Sequence, residues 1–325
     1  MLGHSFSRHS RKTNFLSFAF CLFSITATVP SQAANTGQAR PGVKSGGPLA
    51  YVFTGTGFEY RALTARELES AVRVRFLGNC GYLISGGGKS ILVDALFRHP
   101  NPKFAHVRTP DDVFEKMLSR EEPFRKIDLV LVSHYHADHF TPDMAFPFLM
   151  KHPETRMIAN EHTLSLAEEN DPENYGKVRQ QIDSLTPSWG DVREVSINGC
   201  PLKLYLVKHT TDDRLDREFI VTQFLIELGG VKFLHMGDMY TPPNMEYFRK
   251  FGLEKEDIDL VFKDNWNTDT GKVLMNEFVK PKLFIVTHNN LHSEGQDYRS
   301  IVEAFPNTTI FIEPMEEKIF IKAKK

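Results

Sequence analysis

The sequence predicts an α/β fold in which mixed β-sheets are sandwiched between helices, and three features predict it. First, Val72-Arg73-Val74-Arg75-Phe76-Leu77 alternates with period two, Gly78 to Gly81 turns the chain, and Tyr82-Leu83-Ile84 resumes before Gly86-Gly87-Gly88 leads into Ser90-Ile91-Leu92-Val93-Asp94. Alternation broken by glycine clusters is the mark of successive hairpins. Second, Leu129-Val130-Leu131-Val132 is a continuous apolar run, suited to a strand buried on both faces. Third, strand and helix patterns alternate from there onward, which requires helices laid against a sheet.

The elements follow in order. Arg8, Arg11 and Lys12 precede an apolar stretch from Phe15 to Val29, then Pro30 and Ser31-Gln32-Ala33-Ala34, the order of an export signal cleaved near Ala33 or Ala34. The stretch falls short of the ~20 residues of a spanning helix, so no stable membrane span is expected after cleavage. Residues 1–34 are thus read as a signal peptide, 35–48 as a flexible Gly-, Ala-, Ser- and Pro-rich lead-in, and 49–325 as one continuous domain. The implied destination is periplasmic or extracellular. A helix is expected from Asp111 to Ser119, capped by Thr109 or Asp111, and another opening at Thr141-Pro142. Further strands are expected at 155–160, 192–197, 202–208, 219–228, 231–235, 258–263, 282–287, 308–313 and 317–322, with helices near 161–169, 243–251, 271–279 and 296–304. Gly229-Gly230 joins two of these strands as a tight hairpin.

Composition narrows the function classes. With 41% hydrophobic and 25% charged residues the chain is ordinary globular protein, and a net charge of -2 supplies no basic field for a nucleic-acid partner. Beyond Cys21, which would leave with the signal, Cys80 and Cys200 remain, outside any Cys-x-x-Cys spacing and expected as lone thiols. Oligomeric state is not legible in the sequence.

The chemistry concentrates in His134-x-His136-x-Asp138-His139, directly after the buried run. Four metal-competent side chains within six positions point to a metal site. His209, Asp238 and His288 each end an expected strand, and strand ends gather at one edge of a sheet, where side chains remote in sequence converge. Seven such side chains suffice for a dinuclear centre.

The order His-x-His-x-Asp-His, then His, Asp and His resembles the metallo-β-lactamase superfamily, from about residue 72 to the C-terminus. The resemblance implies an αββα sandwich, two mixed β-sheets flanked by helices. It assigns His134, His136 and His209 to one metal and Asp138, His139 and His288 to the other, with Asp238 bridging. It makes Asp94 a structural aspartate that supports the ligand loop without binding metal. Imidazole and carboxylate donors suit two divalent ions, Zn2+ first, with Mn2+ or Fe2+ as alternatives. A hydroxide bridging the pair would attack the substrate, oriented by Asp138. His292 is the candidate proton donor to the leaving group. Tyr240, Lys263, Trp266 and Asn289 are candidate substrate-binding residues, with Tyr135 and Asn265 beside them. His162 and His235 read as structural.

Asp238 stands where the principal zinc β-lactamase groups carry cysteine, so the resemblance points toward lactonases, phosphodiesterases and thioesterases. The opening hairpin, Arg75 to Ile84, is similar to those of lactonase-like and phospholipase-D-like branches. The expected substrate is a small-molecule or lipid-like ester. The alternatives are an iron-dependent persulfide oxygenase of the same fold and a β-lactamase-like hydrolase. A silent binding protein is disfavoured because all seven donors are present.

Overall fold

Alternating side chains fix which way each strand faces. In the computed structural model, which describes residues 47–98, 108–209, 220–239, 241–264, 269–288 and 307–323, they build two sheets with a shared core. The elements in chain order are β1 (Leu49–Phe53), β2 (Phe58–Ala62), α1 (Ala65–Ser70), β3 (Val72–Gly78), β4 (Gly81–Gly86), β5 (Lys89–Val93), α2 (Asp111–Leu118), β6 (Leu129–Leu131) and α3 (Pro142–Lys151). Then come β7 (Arg156–Ala159), α4 (Glu161–Asn170), α5 (Pro172–Val178), β8 (Ile182–Ser184), β9 (Val192–Ile197), β10 (Cys200–Lys208), β11 (Ile220–Leu228) and β12 (Val231–His235). The last are α6 (Thr241–Phe251), β13 (Leu260–Asp264), α7 (Asp269–Val273), β14 (Leu283–Thr287), β15 (Thr308–Ile310) and β16 (Glu317–Lys322).

One sheet runs β2-β1-β16-β3-β4-β5-β6-β7-β8 and the other β15-β14-β13-β12-β11-β10-β9. Both are mixed, for the same reason. Short turns join β3 to β4, β4 to β5, β9 to β10 and β11 to β12, and each of these pairs is antiparallel, as is β10 with β11. Longer connections return the chain to the same end, so β5 through β8 and β12 through β15 run parallel.

Residues from the facing surfaces, among them Val74, Ile84, Val93, Leu131, Leu204, Phe224, Phe233, Phe262 and Ile285, form the core between the sheets. The alternate residues face outward into helices. Leu83, Leu92 and Val130 meet α2 to α5 through Phe114, Phe146, Phe148, Leu164 and Val178. Leu234, Val261 and Phe284 meet Phe248 and Phe251 of α6 and the π-helical turn Leu274–Val279. The result is helix, sheet, sheet, helix, and it explains the unbroken apolar runs of the central strands. Among the described residues no helix is long and apolar enough to cross a membrane.

Some elements go beyond the expected set. β1 is a short apolar strand seated beside β16, whose parallel partner it is, and α1 opens on a capping box between Thr64 and Glu67. α5 and β8 extend the parallel half of the first sheet. The expected strand at 308–313 stops at Ile310, after which the chain turns through Pro314 while Phe311 stays in the core. The expected helix at 271–279 is α7 continued by the π-turn, closed by Lys280 N–H donating to Met275 O (2.8 Å). The cap of α2 is Pro110, with no side-chain bond; Thr109 instead donates its hydroxyl to Ala95 O (3.0 Å). Cys80 and Cys200 are both buried free thiols. The expected helix at 296–304 and residues 1–46 lie outside the described residues.

Candidate metal centre

Four strand ends deliver the seven donors: β6 leads into His134–His139, β10 into His209, β12 into Asp238 and β14 into His288. β6 belongs to one sheet and the other three to its partner, so the donors meet where the two sheets open at one edge. The ligand loop is tied across that edge. Ser133 O accepts from Thr222 N–H of β11 (2.9 Å) and from Asn160 Nδ2 (3.0 Å). His139 and Phe140 N–H both donate to His136 O (2.9 Å each), folding the motif into a turn whose side chains converge. Gly237 places Asp238 by close approach. Its φ is +57°, and a Cβ there would lie 2.8 Å from Val221 Cγ1 and 3.0 Å from Ser133 Cβ. His288 has φ +55°, an uncommon value for a non-glycine residue outside a turn's glycine position.

The donors fall into two sets. His134, His136 and His209 form one, and Asp138, His139, Asp238 and His288 the other; within each set the ligand atoms lie within 4.8 Å of one another. His134 Nε2 is 3.1 Å from His136 Nδ1. His288 Nε2 is 3.0 Å from Asp138 Oδ2 and 3.2 Å from Asp238 Oδ2.

Asp94 sets the tautomers from behind. Fully buried at the end of β5, it accepts from Ser133 N–H (2.7 Å), Ser133 Oγ–H (2.6 Å) and His139 Nδ1–H (2.9 Å). With its hydrogen committed to Asp94, Ser133 Oγ accepts from His134 Nδ1–H (2.9 Å). Both imidazoles therefore turn an unprotonated Nε2 into the site, the usual way an outer carboxylate orients histidine ligands.

Whether these residues fit metal ions is answered at His139. Its Nε2 is buried without a hydrogen bond, 3.3 Å from Asp238 Oδ2 and 3.9 Å from Asp138 Oδ2. Lone pairs facing one another at that range need a positive charge between them. Without cations, protons take that part. Burial works against charge on His288, yet Asp238 and the Asp138 hydrogen bond outweigh it and hold the imidazolium up to about 10. Burial likewise opposes charge on His139, and Asp238 and Asp94 raise it well above the usual range. Burial and the neighbouring His136 push His209 down to about 4, and burial with His139 lowers His134, so both are neutral at pH 7. Neutral imidazoles in one set and carboxylates demanding positive charge in the other fit two divalent cations.

Of the remaining residues singled out in the sequence, Lys263, Tyr135, His235 and His162 are among the described ones. Lys263 is fully buried, with Nζ 3.5 Å from Met239 O and paired with Asp264; burial lowers its ammonium to about 7, with Asp238 opposing. Tyr135 leans on Phe140, ring centroids 5.9 Å apart. His235 is buried and donates Nε2–H to Cys80 O (3.1 Å), a structural contact. His162 lies in α4. Tyr240, Asn265, Trp266, Asn289 and His292 lie outside the described residues. Ser133 joins the site's outer ring without having been singled out in the sequence. A serine immediately before the first histidine is the available signal.

Comparison with known proteins agrees with this geometry. A profile described as the beta-lactamase superfamily domain matches residues 73–263, which takes in the hairpins, the ligand loop, His209 and Asp238. A UPF0173 metal-dependent hydrolase of Pyrococcus horikoshii is 26% identical over 184 residues, 54% of this chain and 66% of the relative, just under two thirds of its length. Among solved structures, Igni18, a metallo hydrolase from Ignicoccus hospitalis, superposes with TM-score 0.53 at 17% identity over 77% of this chain and 98% of its own. An isothiocyanate hydrolase from Delia radicum gut bacteria gives 0.50 at 15% identity over 75% and 97%. At such identities these structures speak for the fold alone. Sandwich, donor order and profile together place the chain in the metallo-β-lactamase superfamily.

Proposed function

We propose that this chain is a metal-dependent hydrolase with a dinuclear centre, acting on an ester-type bond in a lactone, phosphodiester or thioester. The observation that carries this reading is the division of seven donors into a three-histidine set and an Asp/His set at one sheet edge. The similarity to a protein named as a metal-dependent hydrolase supports it. Two bound cations would polarise the scissile group and make water nucleophilic near neutral pH. The chain's own residues supply the rest. Asp138 is part-exposed, and although burial opposes it, the His288 hydrogen bond holds its carboxyl well below the usual range. As a carboxylate it can orient an attacking water by accepting its hydrogen bond. His136 and His209, also part-exposed, border the open side.

Imidazole and carboxylate donors without thiolate favour Zn2+, with Mn2+ or Fe2+ as the alternatives. The N-terminal order of basic, apolar and small residues supports export, with a small-molecule or lipid-like ester met outside the cytoplasm. N-terminal sequencing of the exported protein is expected to read from near residue 34; an intact Met1 on cytoplasmic protein contradicts export.

The test of activity is a panel of lactone, phosphodiester, thioester and β-lactam substrates on metal-loaded protein beside Asp138→Asn. Turnover on an ester-type substrate, reduced at least ~100-fold by the substitution, is expected. Turnover indifferent to Asp138 sinks the assignment. A single iron with oxygen consumption on persulfides replaces it.

A further inference from the structure

The turn joining β3 to β4 is far from the metal-binding residues in sequence, yet it reaches both carboxylates of the Asp/His set. Asn79 Nδ2 donates to Asp138 O (2.9 Å) and to Asp138 Oδ2 (3.2 Å). Both partners are acceptors, so the amide must present its nitrogen. The Cys80 thiol lies 3.9 Å from Asp238 Oδ1, a sulfur donor's range, and Cys80 O anchors His235. Asn79 and Cys80 are almost wholly buried.

The turn is built for this approach. Gly78 has φ +141° and Asn79 φ +42°. A Cβ at Gly81 would lie 2.9 Å from both Asp94 O and Gly78 O and 3.0 Å from Ala95 Cα, so the turn sits directly on the chain leaving Asp94. Asp94 orders the histidines, and the turn seated upon it touches the carboxylates.

We propose that Asn79 and Cys80 form a positioning clamp for the two carboxylate ligands, Asn79 setting the rotamer of Asp138 and Cys80 that of Asp238. This rests on the metal-centre reading above. Asn79 bonds one Asp138 oxygen and the backbone carbonyl together, fixing the carboxylate relative to its own main chain. Its amide spreads the carboxylate's charge without adding any. The clamp acts on the Asp/His set, to which all three of these contacts run.

The test compares wild type with Asn79→Gly and Asn79→Asp, because glycine accepts φ +42° and deletes only the amide, while aspartate keeps the shape and replaces the donor with a charge. Stepwise Zn2+ affinities are read by competition with a chromophoric chelator, beside thermal unfolding of the metal-free forms. The expected result is a loss of ~10–100-fold at one of two sites, larger for Asp than for Gly, with the other site within ~3-fold. Cys80→Ala is expected to weaken the same site by a few fold and Cys80→Ser to restore it. The clamp is overturned if wild type binds two Zn2+ and both Asn79 variants match it, or if both sites weaken only in step with lost thermal stability. If wild type itself takes up no second Zn2+, the dinuclear reading fails first, and the clamp with it.

Discussion

Asp94 reaches no position where a cation would sit, yet three buried donors end on it and two metal-facing imidazoles take their orientation from that arrangement. Asp94→Asn tests the point cleanly, because asparagine tolerates the local φ of +44° and keeps the size. Its NH2 group would face Ser133 or His139, leaving buried donors unmatched at ~1–3 kcal/mol each. The expected outcome is a loss of about 2–5 kcal/mol in urea unfolding of the metal-free protein and ~10–100-fold in Zn2+ affinity. An unchanged affinity would remove Asp94 from the centre. The local ligand cluster, His134 to His139, was legible because four donors share one turn. Asn79 and Cys80 were not, because which strand turn lies beside Asp138 is decided by sheet pairing, and nothing in their own sequence encodes that neighbour.

At the scale of elements, the short connection from β12 to Asp238 depends on one glycine. Gly237→Ala adds a methyl 2.8 Å from Val221 Cγ1 at φ +57°. A left-handed alanine costs ~1–2 kcal/mol and overpacking ~1–3 more. Gly237→Ala is therefore expected to lower stability by about 2–5 kcal/mol and to weaken cation binding with it. An unshifted urea midpoint would show that the contacts to Val221 and Ser133 are slack. Most strands were legible from alternation and apolar runs, and Gly229-Gly230 as a hairpin, both glycines having positive φ. β1, β2 and α1 escaped because each is only five or six residues long, too short for a clear period, although the Thr64–Glu67 capping box was a usable signal. β16 inserts between β1, its parallel partner, and β3, its antiparallel one, bringing residues 317–322 beside 49–53, and no local pattern announces it.

For the whole molecule, the two sheets carry donors from residues 134 to 288 to one edge, so cations bound there would link the sheets as well as supply chemistry. A ligand that binds only the folded chain stabilises it by about 4 kcal/mol at a thousand times its Kd. Removing the metals with a chelator is expected to lower Tm by roughly 10 °C at this size, and Zn2+ to restore it. The most direct test of the dinuclear claim is the metal content of the purified chain by elemental analysis. Close to two divalent ions per chain, falling toward one when Asp238 is replaced by alanine, is the expected result. One ion or none in the wild type, under conditions where added Zn2+ is in excess, would contradict it.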